Sequence, residues 1–563
     1  MMDWLREYNL ADVAPFVEAL EKTRKQYYQD EIDMLKDAVS IPGISMTYVL
    51  NKALKMKSKK DPDLYAPGQP CNHKCLKSCD KKVCKECSKV RKDCMVCPKN
   101  KAYELLKTGM VGGPSIVFSR YAERGVSKIR SHIYEDAKKC ESVVGFDANS
   151  LYLYCSGQEM PCGKEEYVEV IEPTNPQFIK ETCEDVLSDD LFGFCQVDIQ
   201  VPDNLKDKFE EFSPLFVVDS IPEELVPEHM KSYQKATDRK SVKGTKKLLG
   251  VCEAKKILLY TPMLKWYINH GLEVTAVYKI LKYQEGRPFK WFPEEVSNAR
   301  RDGDSNPALK QLGDTYKLKG NSFYGKMIED LEKHTRTTYT KSEANVDKAF
   351  RSPFFDDLEV INGTFEIKER KRQVNIDRPY QCGIAVYQLA KLRMLEFYYD
   401  FLNKYIDRRD FELIQMDTDS MYMALSSKNL DDIVKPKLLK EYFDYGKADF
   451  LSTSKYHDRT PGLFKDEFKG TRMIALTSKC YFGENQDLGK SKFSCKGISK
   501  KQNEMTWLRY KEALDGHKDM AQNTGFRVSN NQVVTYTQNK LGLSAYYDKR
   551  IVATDGIHTK PLY

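Results

Sequence analysis

Apolar side chains recur at helical spacing between residues 12 and 38 (Val13, Phe16, Val17, Leu20, then Tyr27, Ile32 and Leu35). Residues 57–70 are polar and rich in breakers, and read as a linker. At Ser142 the pattern becomes a continuous apolar run, Val143-Val144-Gly145-Phe146, which predicts a buried strand ending at Asp147. Further on, a helical period places Lys310, Lys317, Asn321 and Tyr324 on one face. Residues 380–402 are apolar on most sides, including Ile384, Val386, Leu389, Leu392, Leu395 and Phe397, and predict a helix buried beneath a sheet. Strand-like Phe411–Ile414 and Met421–Leu425 then flank Gln415-Met416-Asp417-Thr418-Asp419-Ser420, a hairpin whose turn carries two carboxylates. There is no internal repeat and no low-complexity tail.

Composition narrows the class. At 563 residues, 41% hydrophobic and 31% charged, the chain is expected to form several domains. No stretch approaches the ~20 apolar residues of a spanning helix, so a membrane-embedded protein is excluded. The first residues, Met1-Met2-Asp3-Trp4-Leu5-Arg6-Glu7, lack the apolar centre of a signal peptide and are too acidic for a mitochondrial presequence. An intracellular protein of nucleus or cytoplasm is expected. The net charge is +8. Nearly all of that excess falls in 231–256, where Lys231, Lys235, Arg239, Lys240, Lys243, Lys246, Lys247, Lys255 and Lys256 face only Asp238 and Glu253. A solvated face and a strip that tracks a nucleic-acid backbone are both open readings.

The 16 cysteines read as reduced thiols, and they are unevenly spread. Cys71, Cys75, Cys79, Cys84, Cys87, Cys94 and Cys97 crowd one segment, with His73 among them. Cys84-x2-Cys87 and Cys94-x2-Cys97 have the spacing at which two thiolates grip one tetrahedral Zn²⁺, and the other four could supply a second set. The alternative is a lysine-rich surface loop with incidental thiols.

Three segments carry chemistry. Phe146-Asp147-Ala148-Asn149-Ser150-Leu151-Tyr152 sets a carboxylate at a strand end before a tight turn. Lys317-x3-Asn321-Ser322-Phe323-Tyr324-Gly325 puts cations and an aromatic on one helix face, and Asp417-Thr418-Asp419 brings two more acids. Carboxylates at the ends of neighbouring strands can hold two Mg²⁺ ions ~3.5–4 Å apart, the arrangement of two-metal phosphoryl transfer. With a lysine-bearing helix to neutralise a triphosphate, the pattern predicts a nucleotidyl transferase.

In this order, Asp-x2-Ser-Leu-Tyr, Lys-x3-Asn-Ser-x-Tyr-Gly and Asp-Thr-Asp-Ser resemble motifs A, B and C of family B DNA polymerases, over roughly residues 102–563. Thr477-Ser478-Lys479-Cys480-Tyr481 is similar to the family's Lys-x-Tyr motif. Leu463–Glu467, Tyr536-Thr537-Gln538 and Gly556–Thr559 look like the protein-primed branch found in self-synthesising (Maverick/Polinton-type) transposons and related viruses. The resemblance implies DNA-templated addition of dNTPs to a primer 3′-OH on a primer–template, with two Mg²⁺ ions and a terminal protein as priming partner. It implies that Asp147 and Asp419 ligate the metals, with Asp417 a weaker participant. Ser150, Leu151, Tyr152, Lys317, Asn321 and Tyr324 would meet the nucleotide, Tyr152 excluding a 2′-OH, and helix geometry alone adds Lys310 as a further phosphate contact. Thr418, Lys479 and Tyr481 would meet the primer. The other reading is a non-catalytic nucleic-acid-binding remnant of such an enzyme.

The fold expected is α+β, a right hand with an antiparallel palm sheet, an insertion in the palm and an N-terminal cysteine module. Its expected divisions are an exonuclease remnant and helical linker (1–56), the zinc-like module (57–101) and a connection (102–140). Palm (141–200), insertion or terminal-protein region (201–290), fingers (291–350), second palm part (351–483) and thumb (484–563) follow. Three departures from the family stand out. Leu153 replaces a usual Pro, the Tyr-x-Gly-Gly linker is present only as Met110-Val111-Gly112-Gly113, and Tyr8-x3-Asp12 resembles the last exonuclease motif without the earlier two. The chain is therefore expected not to proofread.

Overall fold

The structure, a computed structural model, describes residues 2–29, 32–38, 40–55, 97–239, 245–529 and 532–561. Its centre is an antiparallel sheet of β1 (Ser115–Val117), β2 (Ser142–Ala148), β3 (Phe411–Asp417), β4 (Ser420–Leu425) and β5 (Phe464–Gly470), in the spatial order β1-β3-β4-β2-β5. All six residues of β4 and the first six of β3 are buried, so these strands read as near-continuous apolar runs. One face, with Val144, Phe146 and Ala148, packs on the predicted buried helix. That helix is α6 (Tyr380–Glu396), continued by a π-helical turn Phe397–Leu402, and Phe397 stacks on Phe464 at 3.8 Å. Val143, Tyr422, Ala424 and Phe468 on the opposite face pack against Met473 and Ala475 of a second antiparallel sheet. Gly145 is required there: a Cβ would sit 2.5 Å from the ring of Tyr422, its partner across the sheet.

The remaining sheets are antiparallel too, giving the mixed helix-and-sheet class expected. Met160–Glu169 and Gly193–Gln200 do not join the central sheet but pair with Glu273–Gly286, as Gly193–Gln200 also does with Glu253–Tyr260. Two helices, α4 (Trp291–Ser305) and α5 (Lys310–Met327), pack antiparallel beside α3 (Leu151–Ser156). Gly303 and Gly313 allow their close approach, since a Cβ on either would lie 3.1 Å from a carbonyl oxygen.

The helical spacing near the amino terminus falls on a helix as far as Gln29. α1 (Met2–Gln29) exposes Val13, Phe16 and Val17, with Phe16 65% exposed, and Leu35 beyond it is exposed as well. Only Tyr27 and Ile32 of that spacing are buried. Helical period alone cannot tell a packed face from an unpacked one. α2 (Ile41–Lys55) lies across α5, where the fully buried Lys319 ammonium sits among Tyr48 (4.3 Å), Tyr316 (4.5 Å) and Tyr27 (5.0 Å). Tyr48 and Lys52 both bond Glu295 of α4. Tyr8 and Asp12 lie within α1, with side chains outside the description.

Several cations of the basic strip have internal partners. Lys231 pairs with Glu228, Lys247 with Asp548 and Lys255 with Glu253, while Arg239 donates to Ser544 and covers Tyr546. Lys240 and Lys243 lie outside the described residues. Among the described residues no helix is long and apolar enough to cross a membrane.

One buried cation generates a test. Lys391 of α6 donates to the Val111 carbonyl at 2.9 Å, and burial pulls its ammonium down from 10.5 to about 7. Between those values the unfolded chain binds a proton that the folded chain does not, so stability rises with pH at up to ~1.4 kcal/mol per unit. Lys391→Met should flatten that rise between pH 7 and 9 in urea melts and stabilise the protein at pH 7; an unchanged slope would refute the assignment.

Candidate active site

Three turns meet at one end of the central sheet, and each contains a non-glycine residue with positive φ. Ser150, at the N-cap of α3, has φ 45°, Thr418, between the two hairpin acids, has φ 64°, and Lys479 has φ 61°. Such conformations cost of order 1–3 kcal/mol each and persist where surrounding structure imposes them. Here the hydrogen bonds do so. Asp419 carries its own turn through N–H to the Asp417 carbonyl (2.7 Å), and Thr418 N–H reaches the Pro114 carbonyl (2.8 Å). Ser494 Oγ and Lys496 N–H hold the Lys479 carbonyl. Gly113, from the shortened linker pattern, lets Thr418 approach, because a Cβ there would be 2.7 Å from its methyl.

The sheet register brings the acids together. Ser420 of β4 lies opposite Asp147 of β2, and Ala148 N–H donates to the Asp419 carbonyl at 2.8 Å. Lys465 of β5 is the partner of Asp147 on the other side, with its ammonium 3.1 Å from the carboxylate. Lys479 grips both oxygens of Asp417, at 2.7 and 3.0 Å. Asp419 has no such cation among the described residues. Burial first, and then the charge of Asp147, push its carboxyl up to about 7; Asp147 is raised too, chiefly by burial. Near neutral pH the cluster thus lacks a positive charge that its own side chains do not provide. Its donors are all carboxylate oxygens, the set suited to Mg²⁺ rather than to thiophilic metals.

An aromatic wall rises beside the acids. Tyr152 of α3 stacks on Tyr324 of α5 with ring centres 4.4 Å apart, and Tyr387 of α6 closes on both edgewise. The stack fixes which face of α5 looks toward the acids. Lys310, Lys317 and Asn321 lie on that face and are exposed, and none of them contacts the carboxylates. Leu151 is buried under the turn, and Ser150 Oγ accepts from Arg300 of α4 at 3.0 Å. Tyr481 packs its half-buried ring 5.5 Å from Tyr422.

Sequence reasoning missed Lys465, Arg300 and Tyr387. Lys465 stood in a quoted segment but carried no spacing signal; only strand pairing reveals it. Of the metal-ligand set read from spacing, Cys71, His73, Cys75, Cys79, Cys84, Cys87 and Cys94 lie outside the described residues. Cys97 is half-buried near Asp377 and Arg378, its thiol pushed up to about 11 mainly by burial.

No protein-family model and no curated protein matches the sequence. Among solved structures, the chain is similar to Phi29 DNA polymerase complexed with primer-template DNA, at 14% identity and TM-score 0.46, over 80% of this chain and 64% of that one. The same polymerase with single-stranded DNA gives 15% and 0.45. A family B DNA polymerase from the hyperthermophilic archaeon Pyrobaculum calidifontis gives 12% identity and TM-score 0.21, over 70% of this chain and 32% of that one. Likenesses this distant do not identify an activity, which has to be read from the carboxylates themselves.

Replacing Gly113 by Ala should lower stability by about 1–3 kcal/mol, the usual penalty for forcing an atom into a packed contact. Adding Thr418→Ser, which removes the opposing methyl, should recover part of that loss in denaturant melts. No recovery would mean that the contact is not what Gly113 permits.

Proposed function

We propose that the chain is a DNA-directed DNA polymerase that extends a primer 3′-OH on a DNA template. The observation that supports this most is the charge imbalance at Asp147 and Asp419: two carboxylates forced together by strand register, one of them without a cation. Mg²⁺ ions held by Asp147 and Asp419 would supply charge neutralisation to the reacting phosphate. Asp417, already gripped by Lys479, is left as an orienting neighbour.

The rest of the site supports roles for this chain's own residues. Lys317, two helical turns before Tyr324, would take the triphosphate of an incoming dNTP, with Asn321 and more distantly Lys310 beside it. Tyr152 would lie beneath the deoxyribose, its position set by the stack on Tyr324, so that a 2′-OH meets the ring. Tyr324 would border the new base pair. Ser150 and Leu151 shape the turn under the sugar, and Arg300 anchors that turn to the helical pair. Thr418, Lys479 and Tyr481 would face the primer end. The primer 3′-hydroxyl gives its proton to solvent as its oxygen attacks the α-phosphorus in line, the bond to the bridging oxygen breaks, and pyrophosphate leaves. In this reading the central sheet is the palm, α4 and α5 the fingers, and 484–563 the thumb. Priming by a terminal protein, in a transposon or virus, rests on the motif resemblance.

A primer-extension assay with Mg²⁺ and dNTPs, with and without chelator, tests the reading. Asp419→Asn should retain primer–template binding while extension falls by ~10³-fold or more, the scale on which loss of charge stabilisation slows a reaction. Undiminished incorporation would remove Asp419 from the chemistry, and no extension by the parent chain under any condition would leave a nucleic-acid-binding remnant. Tyr152→Ala should admit ribonucleotides; unchanged sugar selectivity would take Tyr152 out of that role.

A further inference from the structure

At the opposite end of β3 from Asp417, a second group of ligand-bearing side chains converges. Donor atoms of His132, Glu412 and His558 all lie within 4.8 Å of one another. They come from three separate segments of chain, two of them the residues after β1 and the last turn before the C-terminal strand. Glu412 is buried, and one of its oxygens accepts the Arg130 N–H at 2.7 Å. The Arg130 guanidinium forms its ion pair with Glu211 and lies close enough to Glu412 for their charges to attract.

His558 is oriented as a ligand is. Asp555 accepts the N–H groups of Ile557 and His558 through Oδ1, at 2.8 and 3.0 Å, and takes Nδ1 of the His558 ring through Oδ2. This holds the ring with Nε2 turned toward Glu412, 3.1 Å away. A carboxylate on one ring nitrogen with the other turned toward further ligands is the arrangement that supports metal-bound histidines. His132 covers the group from outside, its ring 4.0 Å from that of His558. A pocket of about 320 Å³, bordered by Ser119, Ser127 and Ser131 next to Glu412 and His558, gives an ion and water a way in.

We propose that His132, Glu412 and His558 form a divalent transition-metal site, with Zn²⁺ as occupant and solvent in the fourth position, which clips the C-terminal segment to the central sheet. Two imidazoles and one carboxylate are a borderline nitrogen–oxygen set that suits Zn²⁺ and disfavours Mg²⁺ and Ca²⁺. Glu412 and Asp555 supply two negative charges against the two of the ion. Ligands bonded at ~2.0–2.1 Å lie closer together than the side chains do here. His132, the exposed member, therefore has to rotate off its stack on His558. The segment that would be clipped is already registered: Ser119 bridges to His558, and Thr559 Oγ1 donates to the Val117 and Phe118 carbonyls.

The test is zinc content of the full-length chain by elemental mass spectrometry, in the parent, His132→Ala and Glu412→Gln. Each variant should lose one equivalent relative to the parent. When Co²⁺ replaces Zn²⁺, the lost equivalent should leave any thiolate-to-cobalt absorption unchanged, which separates this site from the cysteines of 71–97. Zn²⁺ added to chelator-treated protein should raise the melting temperature more in the parent than in His132→Ala. Parent-level zinc in a folded variant, or a loss accompanied by the thiolate band, would overturn the proposal and leave His558 as an imidazolium held between two acids. His132 is exposed, so its variant keeps the test decisive should Glu412→Gln fail to fold.

Discussion

Repulsion between Asp147 and Asp419 is the constraint around which the central sheet is built. Burial raises the proton affinity of both carboxylates, and the charge of Asp147 raises that of Asp419 further. A fold that only needed stability would replace one of them. Instead, the chain surrounds them with apolar strands that cannot shift register without turning Val143, Phe146 or Met421 to the wrong face. Lys465 and Lys479 neutralise two of the three acids and leave Asp419 to a cation from outside. The left-handed turns at Ser150, Thr418 and Lys479 follow from the same demand, since each re-aims a side chain at one point where an unstrained turn would carry it past.

The aromatic stack extends this constraint to the helices. Tyr152 sits one residue past the first residue of α3, so its position is inherited from the strand that carries Asp147. By stacking on Tyr324 it sets the rotation of α5, and with it the direction of Lys317. The far side of α5 is held by the amino-terminal helices through Lys319. A buried ammonium among three rings is stabilised by cation–π attraction only while all three stay close. Tyr27, Tyr48 and Lys52 thus brace the helical pair that would bind the triphosphate, a role with no trace in the spacing that described this segment.

What was legible in the sequence was what depends on local pattern. The strand into Asp147, the two-acid hairpin, the shared face of Lys310, Lys317, Asn321 and Tyr324, and the buried helix at 380–402 all follow from period and burial, and all are present. What the sequence left hidden depended on a partner. Val13, Phe16 and Val17 have helical spacing yet face solvent, because period reports amphipathicity and not what covers it. The lysines of 231–256 count as excess charge in one dimension, and several are cancelled by acids as distant as Asp548. Lys465 was invisible for the same reason, since its partner is set by a strand pairing more than three hundred residues long.

β3 shows how one strand can separate two cation chemistries. Glu412 and Asp417 are five residues apart, an odd spacing that would put them on opposite faces of a regular strand. A bulge between Leu413 and Gln415 restores the phase, so that Glu412 lies opposite Ala424 and Asp417 opposite Ser420 on the same face. The two ends then differ only in their neighbours. At the Asp417 end the neighbours are carboxylates and lysines, and the metal ligands offered by the described residues are carboxylate oxygens. Imidazoles held by a carboxylate turn stand at the Glu412 end, and nitrogen enters the set. Hard and borderline cations would therefore partition between the ends by ligand type and not by affinity alone, which would let the proposed Mg²⁺-dependent reaction proceed beside the proposed transition-metal clip without either ion displacing the other.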